Sequence, residues 1–235
     1  MTDSEILDYL TPKKTNYTPI RLGKLTDGGY VCPKEIISNV SKCFSFGIWN
    51  DVSFEKDLLN ENKSISIDAY DGSIDSLPEE IPIAFHKEYV RFSNESRNIF
   101  SNCNEKFIVK MDIEGDEYNI VSIDKHDLKN LEFIVFEMHW LDKNKRKVND
   151  LCEYFKEAGF SCFHAHGNNC VSNQYSFNSE ECPEVIEITL VKGIFTVFSD
   201  ISCPIENIDY RNDLSKSELQ LGYIKNRQNA YNSSR

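Results

Sequence analysis

Apolar and polar positions along this chain alternate in a way that predicts strands separated by helices. Residues 2–10 read as a short helix, with Thr2 and Glu5 spaced as a capping box. From residue 42 the alternation becomes regular. KCFSFGI (42–48) is a short apolar run ending at Gly47, and a helix-compatible stretch, DVSFEKDLLNEN, follows. SISIDAY (64–70) and EYVRF (88–92) read as the next two strands. KFIVKMD (106–112) and EFIVFEM (132–138) are nearly continuous apolar runs, the pattern of strands buried on both faces of a parallel sheet. DEYNIVSI, between them, reads as a helical turn or two.

The next helix is clearer. Val148, Leu151, Cys152, Phe155 and Ala158 fall on one face, and Gly159 is placed to end it. FSCFHAH (160–166) and VIEITLV (185–191) read as two late strands. Strands alternating with helices predict an α/β fold with a three-layer, doubly wound sheet. The whole chain, 1–235, is read as one domain, with 1–20 as an N-terminal helix and extension and 205–235 as a polar surface helix or loose tail.

Composition adds exclusions. The formal charge is −12, and a phosphate-tracking surface needs clustered Lys and Arg, so nucleic acid is not the expected partner. No apolar run is long enough for a membrane span. The N-terminus lacks the basic and apolar regions of a secretory signal. The eight cysteines include no C-x-x-C pair, and several sit in apolar patterns, which fits a reducing cytoplasm.

In doubly wound sheets ligands bind outside the carboxyl ends of the strands, so the residues at those ends carry the functional expectations. Gly47 ends the first strand, in a turn that continues as Trp49-Asn50-Asp51. Asp71 follows about 24 residues later, the spacing at which an acid accepts ribose hydroxyls, with Asp68 as the competing choice. KMDIEGDE (110–117) crowds four acids at the next strand end; Asp116 and Glu117 suit a helix start, whereas Asp112 sits at the strand tip. Glu137 and His139 share a face if their strand continues, so the acid can orient the imidazole as a base, or both can ligate a divalent ion. In HAHGNNC (164–170), His164, His166, Asn168 and Asn169 read as substrate-side contacts on a loop, with a zinc site as the minor alternative. His86 and His126 read as isolated surface residues.

Taken together, DGGYV, FSFGIWNDVSFE, AYDGSI, KMDIEGDE, FEMHW, HAHGNN and EITLV resemble the FkbM-like methyltransferases, over about residues 20–195. KMDIEGDE between two apolar strands is the most specific piece. Trp49 departs from the pattern, standing where that family's loop often has a second glycine. The resemblance implies a Rossmann-like class I methyltransferase fold: a seven-stranded mixed sheet whose last strand is antiparallel. It implies S-adenosylmethionine at the Gly47 and Asp71 edge, with Asp51, Asp68 and Asp112 completing the expected cofactor-binding set. It implies O-methylation of a sugar, glycan precursor or phosphorylated small molecule, as in polysaccharide biosynthesis. His139 is the expected base and His166 the second candidate. Asp112 and Glu137 are expected to hold the acceptor or a Mg²⁺ or Mn²⁺ ion.

Three other readings stay open. A nicotinamide-dependent oxidoreductase lacks its G-x-G-x-x-G fingerprint here. A nucleotide-sugar-dependent glycosyltransferase would use the acidic DIEGD run with Mn²⁺. A non-catalytic binding module would keep the fold without turnover. Packing of the N-terminal helix and tail on a second copy, as a homodimer, is also open.

Overall fold

A computed structural model of the chain describes residues 1–93, 99–141, 143–171, 174–177, 180–201 and 203–233. Helix α1 (Asp3–Tyr9) starts with the expected capping box: Thr2 Oγ1 accepts from the Glu5 N–H, and the Glu5 carboxylate accepts from the Thr2 N–H at 2.7 Å. Strands β1 (Pro19–Leu22) and β2 (Tyr30–Pro33) form an antiparallel pair, followed by a single turn of helix, α2 (Lys34–Ile37). Then come β3 (Lys42–Phe46), α3 (Ser53–Glu61), β4 (Ser66–Tyr70) and β5 (Ala84–His86). Next are β6 (Phe107–Met111), two 3₁₀ turns (Glu117–Ser122 and Lys125–Leu128) and β7 (Leu131–Met138). The chain continues through α4 (Lys145–Glu157), β8 (Phe160–Gly167), a hairpin of β9 (Gln174–Phe177) and β10 (Glu180–Pro183), β11 (Ile186–Lys192) and α5 (Gly222–Ser233).

Seven strands make the central sheet, in the order β5-β4-β3-β6-β7-β11-β8. Neighbours from β5 to β7 are parallel, and β11 runs antiparallel to both β7 and β8. This is a Rossmann-like, seven-stranded mixed sheet with the last strand inserted antiparallel, as the resemblance implies. The chain reverses its direction of strand placement between β3 and β6, which makes a topological switch point there.

The period of two sorts each central strand onto two cores. Phe44, Phe46, Val109, Met111, Ile134, Phe136 and Met138 pack on one face, beneath α1, α4 and α5. Cys43, Ile108, Phe133 and Val135 pack on the other, against Tyr30, Cys32, Ile37, Phe54 and Leu58. Full burial on both faces explains the nearly unbroken apolar wording of β6 and β7. On the second face the alternation also aligns polar residues toward the carboxyl ends: Ser45, Lys110 and Glu137 stand where apolar side chains would otherwise continue.

Several expectations need correction. The third parallel strand is Ala84–His86, not EYVRF at 88–92; a short edge strand with one mostly exposed face carries little apolar signal. His86 belongs to that strand, and its ring stacks on Tyr70 with centroids 4.5 Å apart. His164 and His166 lie within β8, not on a loop. The polar tail is packed: Leu221, Tyr223 and Ile224 are buried in the larger core. Cys32, Cys43, Cys152, Cys162 and Cys182 are buried, and all eight cysteines are free thiols. Among the described residues no helix is long and apolar enough to cross a membrane.

Candidate active site

A cavity of 780 Å³ opens at the carboxyl edge of β3, β4, β6 and β7, within the range of small-molecule and cofactor sites. Its floor is set by Gly47. The backbone there is left-handed, with φ 79°, and a Cβ would stand 1.7 Å from the Asp112 carbonyl oxygen, so only glycine fits. The loop then passes through Trp49, whose φ of 44° is unfavourable for a bulky residue. Asp71 holds it in place. Its Oδ2 accepts from the N–H groups of Ile48 and Trp49 at 2.9 and 2.7 Å, and its Oδ1 accepts from the N–H and Oγ of Ser73. Burial alone would raise the Asp71 pKa, but these hydrogen bonds win and lower it. A carboxylate has about four lone-pair positions, and all are filled from within the protein. Asp71 therefore pins the loop, and the ribose contacts expected of it require one of these bonds to open.

Lys110, from β6, is buried and reaches the Gly47 carbonyl from below, with its ammonium 5.7 Å from the centre of the Tyr30 ring. Glu55 is buried nearby and receives the Ser45 hydroxyl. Burial raises the Glu55 pKa, and Lys110 opposes the rise. The Tyr30 hydroxyl donates to Asp112 Oδ2 at 3.2 Å.

The densest chemistry surrounds His139. Its side chain is 8 % exposed, and four carboxylates approach it. Glu117, fully buried, sits 3.1 Å from Nδ1 and accepts from the His139 N–H at 2.8 Å. Its second oxygen accepts from the Gly115 N–H. That arrangement places a proton on Nδ1 and turns Nε2 toward the cavity wall, 3.4 Å from Glu137, 3.6 Å from Glu114 and 4.0 Å from Asp112. Burial opposes protonation of His139, but Glu117, followed by Asp112 and Glu114, outweighs it and raises the pKa. Burial, then the charges of Asp112, Glu187 and Asp27, hold the Glu137 carboxyl well above the usual range. Glu114 and Trp140 also have positive φ, 54° and 49°, and the Trp140 ring packs where a Cβ on Gly115 would stand. Strained backbone thus clusters on both sides of the cavity, at Trp49, Glu114 and Trp140.

No family model matches the chain, and no curated protein matches it. Solved structures do resemble it in outline. The Methanococcus jannaschii fibrillarin pre-rRNA processing protein is 10% identical with a TM-score of 0.38, over 76% of this chain and 84% of that one. A S-adenosylmethionine-dependent methyltransferase from Clostridium acetobutylicum is 11% identical at 0.39, over 68% and 87%. The precorrin-6y C5,15-methyltransferase of Geobacter metallireducens is 13% identical at 0.36, over 68% and 84%. At such scores no residue role transfers, and the functional argument stays with the side chains of this chain.

Of the expected residues, Gly47, Asp51, Asp71, Asp112 and Glu137 line the cavity, with His139 directly behind its wall. Asp51 is engaged by Ser53 and by Lys24, 3.2 Å away. Asp68 is not part of the cavity lining. It stands one pleat back from Tyr70, where Lys42 and His86 pair with it. His166 is also outside the lining; it is buried between Glu187 and Glu218, each 3.2 Å from one of its ring nitrogens. His164 pairs with Asp209 at 2.9 Å. Asn169 ties to the backbone of Asp213 and Ser217.

Four contributors escape the sequence reading: Glu117, Lys110, Tyr30 and Asp27. A signal existed for one, Lys110. Lys110 and Asp112 share the period-two face that leads to the strand tip. Glu117 reads as an ordinary helix-start acid until the fold brings His139 over it.

The donor set also bears on a metal. Asp112, Glu114 and His139 offer three ligand atoms within 4.8 Å of one another, and Glu117 orients the imidazole as carboxylates do behind metal-bound histidines. Asp112 and Glu137, expected to act together, each belong to a different three-donor group, since Glu137 groups with Asp27 and Glu187.

Proposed function

We propose that this chain is a methyltransferase that uses S-adenosylmethionine to methylate a hydroxyl on a small sugar-like or glycan acceptor. One observation carries the reading: a cavity of cofactor size at the switch point of this sheet ends against an imidazole aimed by a buried carboxylate. The acidic lining of Asp51, Asp71 and Asp112 suits a cationic donor. When bound, that donor supplies an electrophilic methyl group, so the protein's task is to align and deprotonate the acceptor. Asp112 and Glu137 bind acceptor hydroxyls beside the reacting one, which leaves the single proton of the reacting hydroxyl free to point at His139 Nε2. His139 Nε2 takes the proton, and Glu117 stabilises the imidazolium that forms. If a Mg²⁺-class ion assists, Asp112, Glu114 and His139 are the residues that would hold it, and it would lower the hydroxyl pKa.

Calorimetric titration with S-adenosylmethionine and S-adenosylhomocysteine tests the reading. Binding of either is the expected result. A folded protein that binds neither, yet binds a sugar nucleotide with Mn²⁺, would replace it with the glycosyltransferase reading.

A further inference from the structure

The loop that floors the cavity, Gly47 to Asp51, is held from two sides, and the two holds meet on one peptide group. In the parallel ladder the Asp112 N–H donates to the Phe46 carbonyl at 3.0 Å. Gly47 comes next and turns into the left-handed region, so its carbonyl leaves the ladder and meets no strand N–H. A carbonyl withdrawn from water needs a donor. The Lys110 ammonium supplies it, and lies 3.5 Å from the Phe46 carbonyl oxygen as well. The other end of the same peptide group is the Ile48 N–H, which donates to Asp71 Oδ2 at 2.9 Å. The Gly47–Ile48 peptide dipole thus lies between a cation and an anion, with each charge at the end that attracts it.

Lysine is an unfavourable residue to bury here. Lys110 is 7% exposed, and lysines are almost never this buried without a partner. Glu55 feels its charge, but Glu55 is occupied by the Ser45 hydroxyl, and among the described residues no ion pair joins it to Lys110. The ammonium is directed at backbone oxygen instead. An apolar side chain of the same length would fill the space; only the donor would be missing. Trp49, two residues after Gly47, holds φ 44°, a strain that persists only where the surroundings over-determine the backbone. A peptide group gripped at both ends does that.

We propose that Lys110 is a positioning residue: with Asp71 it clamps the Gly47–Ile48 peptide group and so sets the loop against which the methyl donor binds. The donor's part in this rests on the methyltransferase reading; the clamp itself does not.

Hydrogen exchange read by mass spectrometry tests the clamp, and calorimetric titration with S-adenosylhomocysteine tests its use, both on the full chain. In Lys110→Met, peptides covering Gly47 to Asp51 should exchange about tenfold faster than in the wild type, the size expected for a lost charged hydrogen bond, while β6 and β7 keep their protection. S-adenosylhomocysteine should bind about tenfold more weakly. Lys110→Met leaves Glu55 buried without a nearby cation, so it is paired with the double variant Lys110→Met/Glu55→Gln, which removes both charges and should show the same fast loop. Wild-type exchange in the double variant, or wild-type affinity despite a fast loop, would overturn the proposal. In the first case Lys110 would serve only to offset Glu55; in the second the loop would not position the donor. Faster exchange spread evenly over the whole sheet would overturn it too, as a general loss of stability. If the wild type binds no S-adenosylhomocysteine, the methyltransferase reading fails, and the exchange rates alone still decide the clamp.

Discussion

Glu117 and His139 show how little separates a structural acid from one that directs chemistry. Both are buried, and the pair is defined by 3.1 Å between a carboxylate oxygen and Nδ1. Removing the imidazole in His139→Ala should lower kcat by about 10²–10⁴-fold while donor affinity stays near wild type. Equal turnover in that variant would remove His139 from the mechanism. Glu117→Gln makes a finer prediction. Because Glu117 helps raise the His139 pKa, the neutral base should appear only above the ordinary imidazole range, and turnover should climb with pH there. Replacing the acid with its neutral amide should move that climb to lower pH and reduce the plateau. A pH–rate profile that does not move would show that Glu117 only supports the fold.

Larger units depend on contacts that no single segment announces. Helix α5 docks Tyr223 and Ile224 into the main core, yet among the described residues the buried Tyr223 hydroxyl has no hydrogen-bond partner. Tyr223→Phe should therefore be neutral or stabilising, by up to roughly 1 kcal/mol in thermal or urea unfolding. A clear loss of stability would mean the hydroxyl is satisfied in solution. Strand β8 is joined to the C-terminal segment by His166, which sits between Glu187 and Glu218. Burial opposes its charge, but hydrogen bonds to both acids win and raise its pKa to about 10. An unfolded histidine titrates near 6.5, so this pairing stabilises the fold fully below about pH 6.5. The contribution declines as pH rises and is lost through pH 10. His166→Gln should thus cost about 3 kcal/mol at pH 6. Its Tm should fall less steeply than wild type between pH 7 and 10, and parallel slopes would refute the assignment.

At the scale of the molecule, the question is whether a cation belongs to the turnover. Dialysis against EDTA, followed by activity with and without added Mg²⁺ or Mn²⁺, separates two cases. Loss and recovery of turnover would assign the Asp112, Glu114 and His139 group to an ion. Undiminished activity in chelator would leave His139 acting as a base alone.

The alternation of apolar runs and helical stretches was enough to mark six of the seven sheet strands, because strands buried on both faces cannot disguise their wording; the short edge strand Ala84–His86 escaped it. It also marked Gly47, Asp112 and Glu137, since doubly wound sheets place ligands at strand ends. Sequence spacing could not separate Asp68 from Asp71; the pleat did, by turning Asp68 toward Lys42 and His86. The sequence ranked His139 ahead of His166 only on the strength of Glu137 beside it. Only the tertiary structure puts His139 at the cavity wall and encloses His166, inside β8, in a pair of ion pairs with the distant Glu187 and Glu218. The meeting of Asp27, Glu137, Glu187 and Asn212 was equally hidden. Those four residues span most of the chain, and only the register of β7, β11 and β8, with the C-terminal segment folded over it, brings the Asn212 amide nitrogen onto the acids.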